Sequence, residues 1–199
     1  MLSQYLYALP LLTFAKDVFT SREEFSNRWY QMGHQNVIMV IAVFFFVKYR
    51  TYVDTSVIGG CFDKEFSEPS LRLFEEFKKG KKIAVISDLT IKELEEAPPK
   101  IKNSYKEIAD KWIEFVTLSD DAIGLAGEYM AEGVLGKGSL ADAQHIAIGT
   151  INRVDLLVSW NFKHVVNYKR IRYYNAINLK MGYQMIEIRT PMEVLDDQF

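Results

Sequence analysis

Residues 50–60, RTYVDTSVIGG, decide how the chain is read: a short aromatic and β-branched run ends on Asp54 and breaks at once into Thr55, Ser56 and the pair Gly59-Gly60. In an open α/β sheet, ligands collect just outside the carboxyl ends of the strands, so an acid at such an end faces the crevice. The same side chain also suits an Asx-turn or a helix cap. Its partners decide between these readings.

From this stretch toward the carboxyl terminus the pattern stays regular. The glycines after Asp54 read as a loop. Glu68-Pro69-Ser70 opens a helix whose apolar stripe (Leu71, Leu73, Phe74, Phe77) stops at Gly80. The run Ile83 to Ile86 suits a buried parallel strand, and Ser87-Asp88 caps a following helix that carries Glu93 and closes at Pro98-Pro99. Helical sequence resumes to about Lys111. The pattern then predicts a strand over 115–118, a helix from the caps at 119–121 to about Glu132, a glycine-bearing loop, and a helix from Ser139. A strand over 156–159, a helix over 168–181 stopped by Gly182, a strand over 184–188 and a short helix capped by Thr190 and Glu193 complete the chain. Strands separated by helices imply βαβ units and a parallel sheet.

Toward the amino terminus the pattern is lost. Residues 37–47, VIMVIAVFFFV, form an apolar run of 11 residues, short of the roughly 20 that span a bilayer. No cleavage pattern of a secretory signal accompanies it. Residues 1–47 therefore read as an N-terminal extension, either a weak membrane-associated segment or a mis-assigned start with translation beginning at a GTG codon for Val47. Residues 48–199 read as one α/β domain, and no stable membrane insertion is expected. With 49% hydrophobic residues in 199, the chain can bury a full core.

The net charge of -2 gives no sign of a nucleic-acid binder, but its distribution does. Between residues 152 and 189 seven basic residues stand against Asp155 and Glu187 alone. Such a flank attracts a polyanion or is simply a solvated helix face. The single cysteine, Cys61, cannot close an internal disulfide, and neither it nor His34, His145 and His164 shows zinc-ligand spacing. A reducing, cytoplasmic setting is expected.

Three further stretches put polar groups where Asp54 sits. They are Glu93 in SDLTIKELEEAP, Asp142 in GSLADAQHIAIGT and Asn161 in DLLVSWNFKHVVN. In a parallel sheet all four positions can converge on one edge. Carboxylates gathered without a Lys or Arg repel one another and raise each other's pKa, a conflict that a divalent cation removes. Oxygen ligands alone suit Mg²⁺ or Mn²⁺. Thr55, Ser56 and Ser159 could position ligands or waters. Each residue keeps a structural alternative: capping boxes for Thr90 to Glu93 and Ser139 to Asp142, an Asx-turn for Asn161, packing for His145 and Trp160.

These four stretches, in this order and at this spacing, resemble the acidic motifs of PIN domains, above all the VapC-like toxins of type II toxin-antitoxin pairs. The resemblance covers residues 48 to about 195. It implies a three-layer α/β/α fold around a parallel sheet of about five strands, and a Mg²⁺- or Mn²⁺-dependent endoribonuclease. Carried over by position, Asp54, Glu93 and Asp142 match the metal-binding acids, and Asn161 stands where many members have a fourth Asp. That departure puts a second metal in doubt. A small antitoxin and a homodimer are implied as partners, with RNA contacts at His145, Lys163, His164, Lys169, Arg170 and Arg172. Two rivals stand beside this reading. One is a PIN-fold module that binds RNA or protein without catalysis; the other is a phosphohydrolase with Asp54 as nucleophile, which lacks the usual second Asp because Ser56 occupies that position.

Overall fold

The computed structural model describes residues 48–136 and 138–195, so the expectations for residues 1–47 lie outside it. Five strands make one all-parallel sheet: β1 (Arg50–Val53), β2 (Ile83–Ser87), β3 (Ile113–Val116), β4 (Leu156–Val158) and β5 (Ile188–Arg189). Their order is β3-β2-β1-β4-β5. The order reverses between β1 and β4, which makes their carboxyl ends the switch-point crevice of the sheet.

Alternation along the strands assigns the two faces. Tyr52, Val85, Leu157 and Ile188 belong to one core, while Val53, Ala84, Ile86 and Val158 belong to the other. The first core is covered by α5 (Asp120–Ala131), α6 (Leu140–Ile151) and α7 (Tyr168–Lys180). The second is covered by α1 (Thr55–Gly60) and α2 (Ser67–Lys78), with Leu94, Tyr105 and Ile108. Two short helices, α3 (Asp88–Glu93) and α4 (Pro99–Lys102), follow β2. This is the three-layer α/β/α arrangement around five parallel strands that the motif pattern implies.

The local departures from expectation have physical causes. The residues after Asp54 form α1 rather than a loop, because Asp54 caps it through the Ser56 amide and Val57 and Ile58 are fully buried, which together outweigh the poor propensity of Gly59-Gly60. Gly60 has a packing role: a Cβ there would stand 2.8 Å from both Ser70 Oγ and Trp160 Nε1. Strand β3 begins and ends two residues earlier than predicted. The Leu118 amide donates to Asp88 Oδ1 at 2.9 Å, which pulls the end of the expected strand out of the ladder. Of the predicted strand over 184–188, only Ile188 pairs, because the Asn175 side chain takes both the N–H (2.8 Å) and the C=O (3.1 Å) of Ile186.

The helix expected to continue to Lys111 is broken into α4 and 3-10 turns, with Asn103 and Ser104 side chains donating to the carbonyls of Pro99 and Ile101. Neither proposed capping box at the acids forms. Ser87, not Thr90, caps α3, and Ser139 makes no side-chain cap bond to α6. The box between Thr190 and Glu193 is present. Among the described residues no helix is long and apolar enough to cross a membrane.

Candidate active site

Asp54 is fixed at the boundary of β1 and β4 by its own backbone, whose N–H donates to Val158 O at 3.1 Å. Its carboxylate is only 6% exposed and is held from two sides: Oδ1 accepts from the Ser56 amide (3.1 Å) and Oδ2 from Ser159 Oγ (2.5 Å). Ser56 Oγ lies 3.3 Å from Ser159 Oγ and accepts from the Trp160 amide at 3.0 Å. Two of the three expected supporting hydroxyl residues therefore hold Asp54. The third, Thr55, donates to Glu93 instead.

Asp142 enters from the first turn of α6, where its Oδ1 accepts from Asn161 Nδ2 at 2.7 Å. Asn161 is itself pinned: its N–H donates to Ser159 Oγ (2.9 Å) and its Oδ1 accepts from the His164 amide (3.0 Å). One side chain thus closes the local turn and also reaches Asp142. The neutral amide supplies a donor where a carboxylate would have to find a cation.

Glu93 comes from the end of α3. Its Oε2 accepts from Thr55 Oγ1 and pairs with His145 Nε2 at 3.0 Å. His145, expected among the RNA contacts, is buried at 3% exposure with both ring nitrogens engaged, so it supports the acids from beneath rather than meeting a ligand. Its Nδ1 lies 2.6 Å from the Tyr52 hydroxyl, which lies 2.7 Å from Ser87 Oγ. Burial pushes the Tyr52 phenol well above its ordinary range, so it is protonated at neutral pH. Tyr52 is the residue of this cluster that sequence reasoning missed. The available signal was a hydroxyl-bearing ring two residues before Asp54, pointing to the face that α6 covers.

The electrostatics follow from this packing. Burial raises the pKa of Asp142, and the charge of Asp54 adds to the rise against the opposing pull of His164, His145 and the Asn161 amide. Burial would lower His145, yet the Glu93 hydrogen bond and the charges of Asp54, Glu93 and Asp142 together hold it above its ordinary value. For Glu93 burial works upward, and the His145 and Thr55 contacts outweigh it and hold the carboxyl low. The charges of all three carboxylates thus act on the one buried imidazole, and only Glu93 is bonded to it.

Among the described residues no three His, Cys, Asp or Glu side chains converge so as to hold a metal ion together. The donors nevertheless fit a hard dication in a narrower way. Mg²⁺ characteristically binds through one or two carboxylates and keeps several waters, and Asp54 with Asp142 offers such a pair. Glu93, the third expected ligand, is drawn instead to His145 and Thr55.

The remaining expected RNA contacts line the chain beyond β4. Lys163, Lys169 and Arg172 are exposed; Arg172 lies over the Tyr168 ring at 5.9 Å, while Arg170 donates from Nη1 to Val134 O at 2.6 Å. His164 sits between these cations and Asp142. Its pKa is lowered by burial first and then by Arg170 and Lys163, with Asp142 pulling upward. A cleft of about 520 Å³ is lined by Glu132, Val134, Asn167, Lys169, Arg170 and Tyr173, and none of Asp54, Glu93 and Asp142 lines it. Trp160, the other candidate for stacking, is core: it is 8% exposed and donates from Nε1 to Ser70 Oγ at 2.9 Å.

The topology defines a three-layer α/β/α domain around five parallel strands, with Asp54 at the switch point. No family model and no curated protein matches the chain. Among solved structures it is similar to the toxin VapC20 of Mycobacterium tuberculosis, which cleaves the sarcin-ricin loop. That match has 13% identity and a TM-score of 0.46 and covers 58% of this chain and 93% of that one. It is also similar to a chain of VapBC2 from Rickettsia felis, solved bound to a DNA fragment from its promoter, at 15% identity and a TM-score of 0.46 over 70% of this chain and 97% of that one.

Proposed function

We propose that the chain is a divalent-metal-dependent endoribonuclease, the toxin of a toxin-antitoxin pair. The observation that carries this reading is the imbalance at the switch point. Asp54 and Asp142 are close enough for one to raise the other's pKa, with no Lys or Arg bonded to either among the described residues. A fold keeps such repulsion where it serves a site. Held at these carboxylates, Mg²⁺ or Mn²⁺ supplies Lewis-acid polarisation of a phosphodiester oxygen and a nucleophilic water at neutral pH.

The chain's own groups then have distinct tasks. Ser159 and the Ser56 amide orient Asp54, and the Asn161 amide orients Asp142. Contact with His145 Nε2 and Thr55 holds the Glu93 carboxyl below its ordinary range. Lys163 and Arg170, near enough to lower the His164 pKa, attract the phosphate backbone to the rim. A small antitoxin and a second copy of the chain are the proposed partners, and the cytoplasm the proposed setting.

The test is incubation of the full chain with structured RNAs in Mn²⁺, with EDTA and Asp54→Asn as controls. Cleavage that depends on the metal and is lost in the variant is expected, and RNA bound but left uncut by the native protein overturns the nuclease. One observation favours the second reading, a non-catalytic RNA- or protein-binding module: Asn161 already satisfies Asp142 without any cation. The phosphohydrolase reading loses support, since Ser56 is committed to Ser159 and the Trp160 amide and leaves no acid beside Asp54.

A further inference from the structure

The loop after β4 carries a feature that the acid chemistry does not use. Phe162 follows Asn161 directly and is 50% exposed. Beneath it lies a fixed aromatic base. Phe66 and Trp160 stack with centroids 4.6 Å apart and planes inclined by 26°, and Phe162 stands 6.3 Å from Phe66 and 6.0 Å from Trp160. The Trp160 indole cannot drift, because Ser70 accepts its N–H and the bare Cα of Gly60 packs against its pyrrole edge. The backbone turn that presents Phe162 is closed by its N–H to Trp160 O at 3.0 Å, and the next residue but one is held by Asn161 Oδ1.

We propose that Phe162 is a stacking ledge for an unpaired base of a single-stranded RNA segment, next to the phosphate that the acids address. The inference rests on the ribonuclease reading and adds to it how the substrate is positioned. Three observations favour a nucleic-acid base over an apolar protein surface as the occupant. A single peptide bond, about 3.8 Å between Cα atoms, joins Phe162 to Asn161, whose side-chain amide touches Asp142. The next residue is the exposed cation Lys163, so along the chain Phe162 falls between a residue that touches Asp142 and a phosphate-attracting charge. And the ring offers a flat face on a rigid support, which suits stacking of a planar base and selects for no particular one.

The experiment uses the full chain with Asp54→Asn, so that RNA stays intact, and reads fluorescence anisotropy of a labelled eight-residue oligouridylate in Mg²⁺. Adding Phe162→Ala should weaken binding by roughly fivefold to a hundredfold, the range of one lost base-aromatic stack; adding Phe162→Trp should keep it. A series of the same oligonucleotide with one abasic position at a time should contain one member on which Phe162→Ala has no effect, because the stacking base is already gone. The ledge is overturned by any of three results: no binding of the probe by the parent, equal binding by Phe162→Ala, or a loss that persists across the whole abasic series. The last would mark Phe162 as an apolar surface for a protein partner. Failure of the nuclease reading shows separately, as RNA that the native protein binds through Phe162 but does not cut.

Discussion

The two edges of the sheet handle charge in opposite ways. At the amino edge ion pairs tie the strands and the neighbouring helix together. Arg50 grips Glu114 through two bonds of 2.9 and 2.6 Å while its amide donates to Asp155, and the buried Lys82 meets the buried Glu76 at 2.6 Å with Lys81 at 3.6 Å. At the carboxyl edge the charges of Asp54, Glu93 and Asp142 all act on the buried imidazole of His145. The first edge is built to hold strands and helix together. The second is left short of positive charge at the place where a sheet of this order receives its ligand.

The largest effect expected from this contrast is kinetic. Asp142→Asn should lower Mn²⁺-dependent RNA cleavage by more than about 100-fold, beyond what loss of a merely orienting partner costs, while metal-free urea denaturation shows equal or higher stability because the repulsion with Asp54 is relieved. A variant that unfolds more easily would break the comparison. At the other edge the sign reverses. Lys82→Met strands the Glu76 charge in the core and should cost about 3–5 kcal/mol, tempered by Lys81, with no direct effect on the site. Chemical denaturation measures it.

Asn161→Asp sharpens the contrast further. Replacing the donating amide sets a second carboxylate against Asp142, so the metal-free variant should lose about 1 to 2 kcal/mol, and Mn²⁺ should restore it with cleavage equal to or above the native level. Thermal denaturation with and without the ion reads this directly.

The smallest effect is in pH. The Glu93-His145 pair contributes fully above the ordinary carboxyl value of 4.5 and below the ordinary imidazole value of 6.5. Its contribution fades as pH falls through the lowered value of Glu93 and as it rises through the raised value of His145. The difference in melting temperature between native protein and His145→Gln should therefore peak in that window. A difference that grows steadily above pH 7 would mean His145 is buried neutral.

Much of this was legible in one dimension because it depends on local spacing. Apolar runs with period two or near four gave the strand and helix alternation, and with it a parallel sheet whose carboxyl ends carry Asp54 and Asn161. Where prediction slipped, a side chain had intervened from elsewhere in the chain. Asp88 ended β3 early, and Asn175 took the bonds that would have lengthened β5.

The sequence by itself determined the class of fold and that Asp54 stands at a strand end, since both follow from periodicity and from the chirality of βαβ connections. Only the tertiary structure decided what those acids touch. Ser159 reaches Asp54 across 105 residues, Tyr52 meets His145 across 93, and Glu93 meets it across 52. Contacts at such separations depend on how the layers pack, which is why only the fold shows His145 buried beside Glu93 and Asn161 as the partner of Asp142.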